Sequence, residues 1–169
     1  MEATTVPTLE EAKQYIYSID FSAIIFKMTT REGWLKNDAL LACRWYRNFL
    51  FLNKKYGFEP MMPPSEDIDE VWHHHILDTQ NYAKDCNAIY GKFMHHYPGF
   101  GIDGKTDMND LNSAFHKMQK LHFEEFGEYL YEIRGSLKKS GFIMSIISRL
   151  NRAKYGCSKK ESLLTQHAN

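Results

Sequence analysis

The densest run of chemically versatile side chains is Ile68-Asp69-Glu70-Val71-Trp72-His73-His74-His75-Ile76-Leu77-Asp78, followed some twenty residues later by His95-His96. Imidazole is the commonest protein ligand for divalent transition metals, and carboxylates complete such sites. On a helix, Asp69 and His73 share a face, as do His74 and Asp78. His73 and His75 lie about 200° apart on an ideal helix, so one face cannot present both. A site using both needs a distorted or terminating helix. A turn at Asp78 would let the next helix fold back and carry His96 toward Asp69 and His73. The expected metal ligands are therefore drawn from Asp69, His73, His75 and His96, with Asp85 or Cys86 in reserve, and the expected ion is a divalent transition metal such as zinc. No HExxH motif is present, so a zinc hydrolase is not defined and no catalytic residue is assigned.

Two other readings compete for the same residues. In one, a single ring of the triple histidine lies in the core, hydrogen-bonded to Asp69 or Asp78, and fixes the turn between two helices. Trp72 is then core, with its indole N–H donating to a carbonyl. In the other, Trp72, Tyr82 and the histidines, with Asp78 and Asp85, line a pocket for a peptide or small ligand. The remaining candidates carry less. No Cys-His-Asn signature surrounds Cys86, and Gly99, Gly101 and Gly104 do not form GxGxxG after a strand.

The elements that position these residues read as helices. Thr8-Leu9-Glu10-Glu11 is a capping box, and Leu9, Ala12, Ile16 and Ile19 recur behind it at helical spacing to about Asp20. Phe21 to Met28 is apolar and fits a short helix or a buried strand. A long helix is expected from about Trp34 to Tyr56, with Leu41, Trp45, Phe49 and Leu52 on one stripe and Gly57 as its stop. Pro60, Pro63 and Pro64 stiffen a linker, and Ser65 caps the helix that holds Ile68 to Leu77. Asp78-Thr79 breaks and restarts the helix, which Gly91 ends near Tyr90. Tyr97 to Thr106 reads as a loop. A further amphipathic helix starts near Met108, its buried face marked by Leu111, Phe115, Met118, Leu121, Phe126 and Leu130. Phe142 to Lys154 reads as a short basic amphipathic helix. The expected fold is all-α, a single bundle of five or six helices over residues 1–156, with 157–169 as a disordered tail.

Composition sets the outer bounds. With 169 residues, 43% hydrophobic and 14% aromatic, the chain is long enough to bury one real core. Its net charge is zero, but residues 134–169 hold eight Lys/Arg against one acid, whereas the first 133 hold 13 against 20. That asymmetry marks the C-terminal part for an acidic counterpart, and residues 141–155 fit a membrane surface, a partner groove or the acidic bundle itself. A protein partner is expected and a nucleic-acid partner is not. Cys43, Cys86 and Cys157 are odd in number and have no CxxC pair, which points to a reducing compartment. The first residues lack a basic and an apolar signal region, so a cytoplasmic location is expected, with signal-independent export producing the same sequence.

The tract from Pro64 to Pro98 resembles the glycine-rich domain-containing-protein-like family. Its members carry I/V-D-x-x-W-H-x-H-x-L-D-P, then Y-x-x-D-C, then a glycine and a histidine near a proline. Ile68-Asp69, Trp72-His73-His74-His75-Ile76-Leu77-Asp78, Tyr82, Asp85-Cys86, Gly91 and His96 match it, and Phe126-Gly127 is a further echo. Thr79 stands where the family has proline, and the glycine-rich tail that names the longer members is not in this sequence. The resemblance implies a helical domain and singles out Trp72, His73, His75, Asp78, Asp85 and His96, leaving His74 and His95 as bystanders. It implies no reaction. The leading expectation is a small helical binding or adaptor domain with a His-rich pocket. The alternatives are a metal-dependent enzyme using the histidine tract and a regulatory protein docking through its basic C-terminal helix.

Overall fold

A computed structural model describes residues 6–57, 62–96 and 108–133. Among these residues the protein is an all-α bundle of six helices: α1 Leu9–Ser18, α2 Ser22–Arg31, α3 Lys36–Tyr56, α4 Glu66–Leu77, α5 Thr79–Tyr90 and α6 Met108–Phe126. The loop expected at 97–106, the basic helix at 142–154 and the boundary at 156 fall outside the described residues.

The helix α3 is the axis of the bundle. It has no internal Gly or Pro, and its middle is buried almost all round: Trp45, Tyr46, Asn48, Phe49, Leu50, Phe51, Leu52 and Asn53. A helix enclosed this way needs neighbours on every side, and α1, α2, α4 and α6 all pack on it. Gly57, with φ +82°, ends it by donating its N–H to Asn53 O. The two asparagine side chains buried in α3 are satisfied. Asn53 Nδ2 donates to Phe49 O at 2.9 Å, and Asn48 sits between Tyr17 Oη at 2.9 Å and His122 Nε2 at 3.1 Å.

Local signals account for most of the boundaries. Thr8 and Glu11 form the expected capping box on α1. The ambiguous apolar run after Phe21 is helical, because Ile24 and Met28 face the core four residues apart. The start expected at Trp34 falls at Lys36 instead. Trp34 is held in the preceding turn, its N–H donating to Met28 O at 3.2 Å. Likewise α6 stops at Phe126 rather than reaching Leu130. Gly127 (φ +72°) turns the chain, and Leu130 is buried through a two-way bond between its backbone and the Gln119 amide, at 2.9 and 3.0 Å. Beyond it, Ile133 N–H donates to the buried Asp67 carboxylate at 2.9 Å, tying the end of the described chain to α4. No helix among the described residues is long and apolar enough to cross a membrane.

Candidate metal centre

The site begins with the cap of α4. Ser65 Oγ accepts the Ile68 N–H at 3.4 Å and sets where the helix starts, so that Asp69 and His73 stand one turn apart on its outer face. At the far end the backbone N–H of Asp78 is shared between His74 O and His75 O, and the chain turns directly into α5. The helix α5 ends at Gly91 in the left-handed conformation, φ +69°, and residues 92–96 return toward α4.

Aromatic side chains fix the path of that return, Trp72 and Tyr82 buried and Phe93 exposed. Trp72 Nε1–H donates to Tyr82 Oη at 2.9 Å, and Tyr82 O–H donates to Met94 O at 2.5 Å. Phe93 packs edge-on against Tyr82 with centroids 5.2 Å apart, and the Trp72 ring meets His96 edge-on at 4.6 Å. His96 is thereby carried to Asp69, its Nε2 3.0 Å from Oδ1. From the same helix face His73 Nδ1 lies 3.3 Å from Asp69 Oδ2, and the two imidazoles face each other at 4.6 Å. One donor atom from each of Asp69, His73 and His96 lies within 4.8 Å of the others.

That spacing suits a small ion. Zinc held by imidazole nitrogen and carboxylate oxygen at about 2.0–2.2 Å brings neighbouring donors to roughly 3.3 Å of each other in tetrahedral geometry. His96 and His73 meet different oxygens of Asp69, so an ion would be held by both oxygens or by a turn of the carboxylate, with the two imidazoles drawn closer. The side chains of Asp69 and His73 are 34% and 53% exposed and that of His96 18%, so the cluster opens to solvent.

His75 takes the opposite course and does not join them. It is 3% exposed, with Nδ1 3.0 Å from Tyr46 Oη and Nε2 3.0 Å from Asp85 Oδ2. Asp85 Oδ1 accepts a further bond from Tyr15 O–H at 2.7 Å. The buried chain Tyr46–His75–Asp85–Tyr15 thus pins α3, α4, α5 and α1 together. Burial holds His75 below its ordinary value, against the pull of Asp85, so the ring is neutral with its proton on Nε2 facing the carboxylate. Burial and the Asp85 bond push Tyr15 up to about 12, keeping it a donor.

The other expected ligand-binding residues divide the same way. Trp72 and Tyr82 are buried, their polar atoms spent on each other and on Met94, while Asp85 belongs to the buried chain. Asp78 is exposed at the α4–α5 junction, accepting from Asn81 Nδ2 at 2.7 Å. Cys43 and Cys86 are free and buried. Burial pushes the Cys43 thiol up to about 12 and raises that of Cys86, so neither is a ready thiolate ligand.

The family resemblance leaves His74 a bystander, yet it joins a second cluster. Its Nε2 lies 3.0 Å from Glu32 Oε2, its Nδ1 3.1 Å from Lys27 Nζ, and Glu70 completes a group of three candidate donors with Glu32 and His74. Lys27 lies on α2 and Glu32 at its C-cap, and no local pattern announces their approach to α4. Only the shared helical face of Glu70 and His74, four residues apart, was there to find.

A model of the UCP032817-like family matches residues 11–124, which span α1 to the last turn of α6. The chain belongs to that family. Two proteins of Arabidopsis thaliana are similar to it and bear out the likeness drawn from the Pro64–Pro98 tract. Glycine-rich domain-containing protein 2 is 28% identical over 102 residues, covering 56% of this chain and 13% of that protein. Glycine-rich domain-containing protein 1 is 29% identical over 85 residues, covering 48% of this chain and 10% of that protein. The chain therefore corresponds to roughly a tenth of these much longer relatives. No solved structure gives a significant match.

Proposed function

We propose that this chain is a small helical binding domain that holds one divalent transition-metal ion at Asp69, His73 and His96 and engages its ligand through the open side of that ion. The observation that carries the reading is the convergence of two imidazoles and one carboxylate within 4.8 Å on a solvent-facing helix turn. Three protein ligands with a solvent-facing fourth side is the arrangement of working rather than structural zinc sites, which are closed by four protein ligands. The donor set is nitrogen and oxygen without thiolate, which suits zinc, iron, copper or nickel better than calcium or magnesium.

Charge gives the ion's ligand a chemical class. One carboxylate leaves a dication with net positive charge, so the open position favours an anionic or electron-donating group. The packing of Trp72 on His96 and the Tyr82 bond to Met94 O support the site by holding His96 in place. Elemental analysis of tag-free protein purified without chelating resin tests the reading, beside a His73→Ala/His96→Ala variant. Near-stoichiometric metal in the parent and its loss in the variant are expected. Equal metal in both, or none in either after loading with zinc, would overturn it.

A further inference from the structure

Glu32 at the C-cap of α2 and Glu70 and His74 on α4 offer one carboxylate or imidazole donor each, all within 4.8 Å. By donor type alone this cluster is as suited to a dication as the first, and it is more enclosed: the His74 side chain is 8% exposed and that of Glu32 19%. The difference is Lys27, whose Nζ lies 3.1 Å from His74 Nδ1. We propose that Glu32, Glu70 and His74 form a second divalent-cation position and that Lys27 keeps it closed, limiting this face of the domain to one ion. The inference rests on the reading of the α4 outer face as metal-binding.

The closure follows from hydrogen-bond chemistry. An ammonium group donates only, so His74 Nδ1 must accept. In the neutral ring the proton then sits on Nε2, where the Glu32 carboxylate accepts it at 3.0 Å. A metal ion among the carboxylates needs the lone pair of Nε2. Supplying it would move the ring proton to Nδ1, where it would point at an ammonium with nothing to accept it. Lys27 thus holds His74 in the tautomer that cannot ligate. Its positive charge also offsets the two carboxylates that would otherwise attract a dication.

The first cluster has no such lock in its own bonds. His73 Nδ1 and His96 Nε2 both face a carboxylate, and an ion can replace the proton between ring and oxygen. The His73 side chain is half exposed, so its other nitrogen can carry the proton toward water. Two neighbouring histidines on one helix therefore differ in whether they can ligate, and the difference traces to a single residue on α2.

The test counts zinc ions bound per chain by equilibrium dialysis of the full, tag-free protein, with thermal unfolding as a check on folding. The native chain should bind one ion and Lys27→Met two. Lys27→Gln should also bind two, because the amide oxygen can accept from Nδ1–H, and it serves if the methionine variant folds poorly. Lys27→Arg, which still only donates, should stay at one, and Lys27→Met/His74→Ala should return to one. One ion in both Lys27→Met and Lys27→Gln, or two in the native chain, would overturn the closure by Lys27. No ion in the native chain and one in Lys27→Met would support it while sinking the first site. No ion in any variant would sink both.

Discussion

His73 and His75 stand two residues apart on α4 and live in opposite environments. The His73 side chain is 53% exposed, against Asp69 and His96, whereas that of His75 is 4% exposed and both its nitrogens are bonded to Tyr46 and Asp85. The helical repeat imposes this division, since residues two apart point to nearly opposite sides. One ring is left open to solvent and the other is built into the core.

The building role predicts a large stability cost. His75→Ala would leave the buried Asp85 carboxylate without its imidazole partner and Tyr46 Oη without its acceptor. A loss of about 3 kcal/mol is expected on breaking such a buried pair from one side. Urea unfolding should show it. A loss below about 1 kcal/mol would mean that the buried chain does not hold the helices together.

Tyr82 predicts an effect on the ion through a residue that never touches it. Tyr82→Phe keeps the ring but removes the donor to Met94 O and the acceptor for Trp72 Nε1. Residues 92–96 then lose their anchor, and zinc affinity should fall about tenfold, as removing such supporting bonds commonly does. Competition with a chromogenic chelator measures it. Unchanged affinity would separate His96 from that anchor.

How much of this was legible in the sequence depended on range. Thr8–Glu11, Gly57, Ser65 and Gly91 mark helix ends by local chemistry, and each acts where its residue type says it should. The set Asp69, His73 and His96 was reachable because two members share a helix face and the break at Asp78 suggested the return of the third. The partners of His75 were not. A buried imidazole bonded to an aspartate was expected, but with Asp69 or Asp78, its neighbours on the helix, whereas the true partner Asp85 comes from α5 together with Tyr46 from α3. Lys27 and Glu32 were hidden for the same reason, since nothing in their local spacing records which helix α2 packs against. The stop of α6 at Gly127 was in principle readable. The apolar spacing ran past it to Leu130, which is buried by a tertiary bond to Gln119 rather than by a helix face.

Gly91 gives a prediction that joins backbone to site. Its φ of +69° is a conformation that costs an L-residue, and a Cβ there would come within 3.4 Å of Pro7 Cδ. Gly91→Ala should cost about 1–2 kcal/mol in unfolding free energy. It should also weaken zinc binding, because the turn at residue 91 aims residues 92–96. A variant as stable as the parent would show that the turn relaxes freely.

Acid should destabilise the fold, in part through His122. Burial holds this ring below its ordinary 6.5, opposed by its bond to the Glu128 carbonyl. The unfolded ring therefore takes up a proton below about pH 6.5 that the folded ring refuses, so stability falls as pH drops through that value. His75 shifts in the same direction. In a series of urea midpoints from about pH 7.5 to 5.5, His122→Gln should flatten the slope without abolishing it. An unchanged slope would mean that His122 titrates alike in both states.

The most direct test of the central claim is X-ray absorption at the zinc edge on protein loaded with one equivalent of zinc. Two imidazoles and oxygen donors at about 2.0–2.2 Å are predicted, with one imidazole lost in His96→Ala. A sulfur shell near 2.3 Å, or a spectrum unchanged by His96→Ala, would place the metal elsewhere and contradict the assignment of Asp69, His73 and His96.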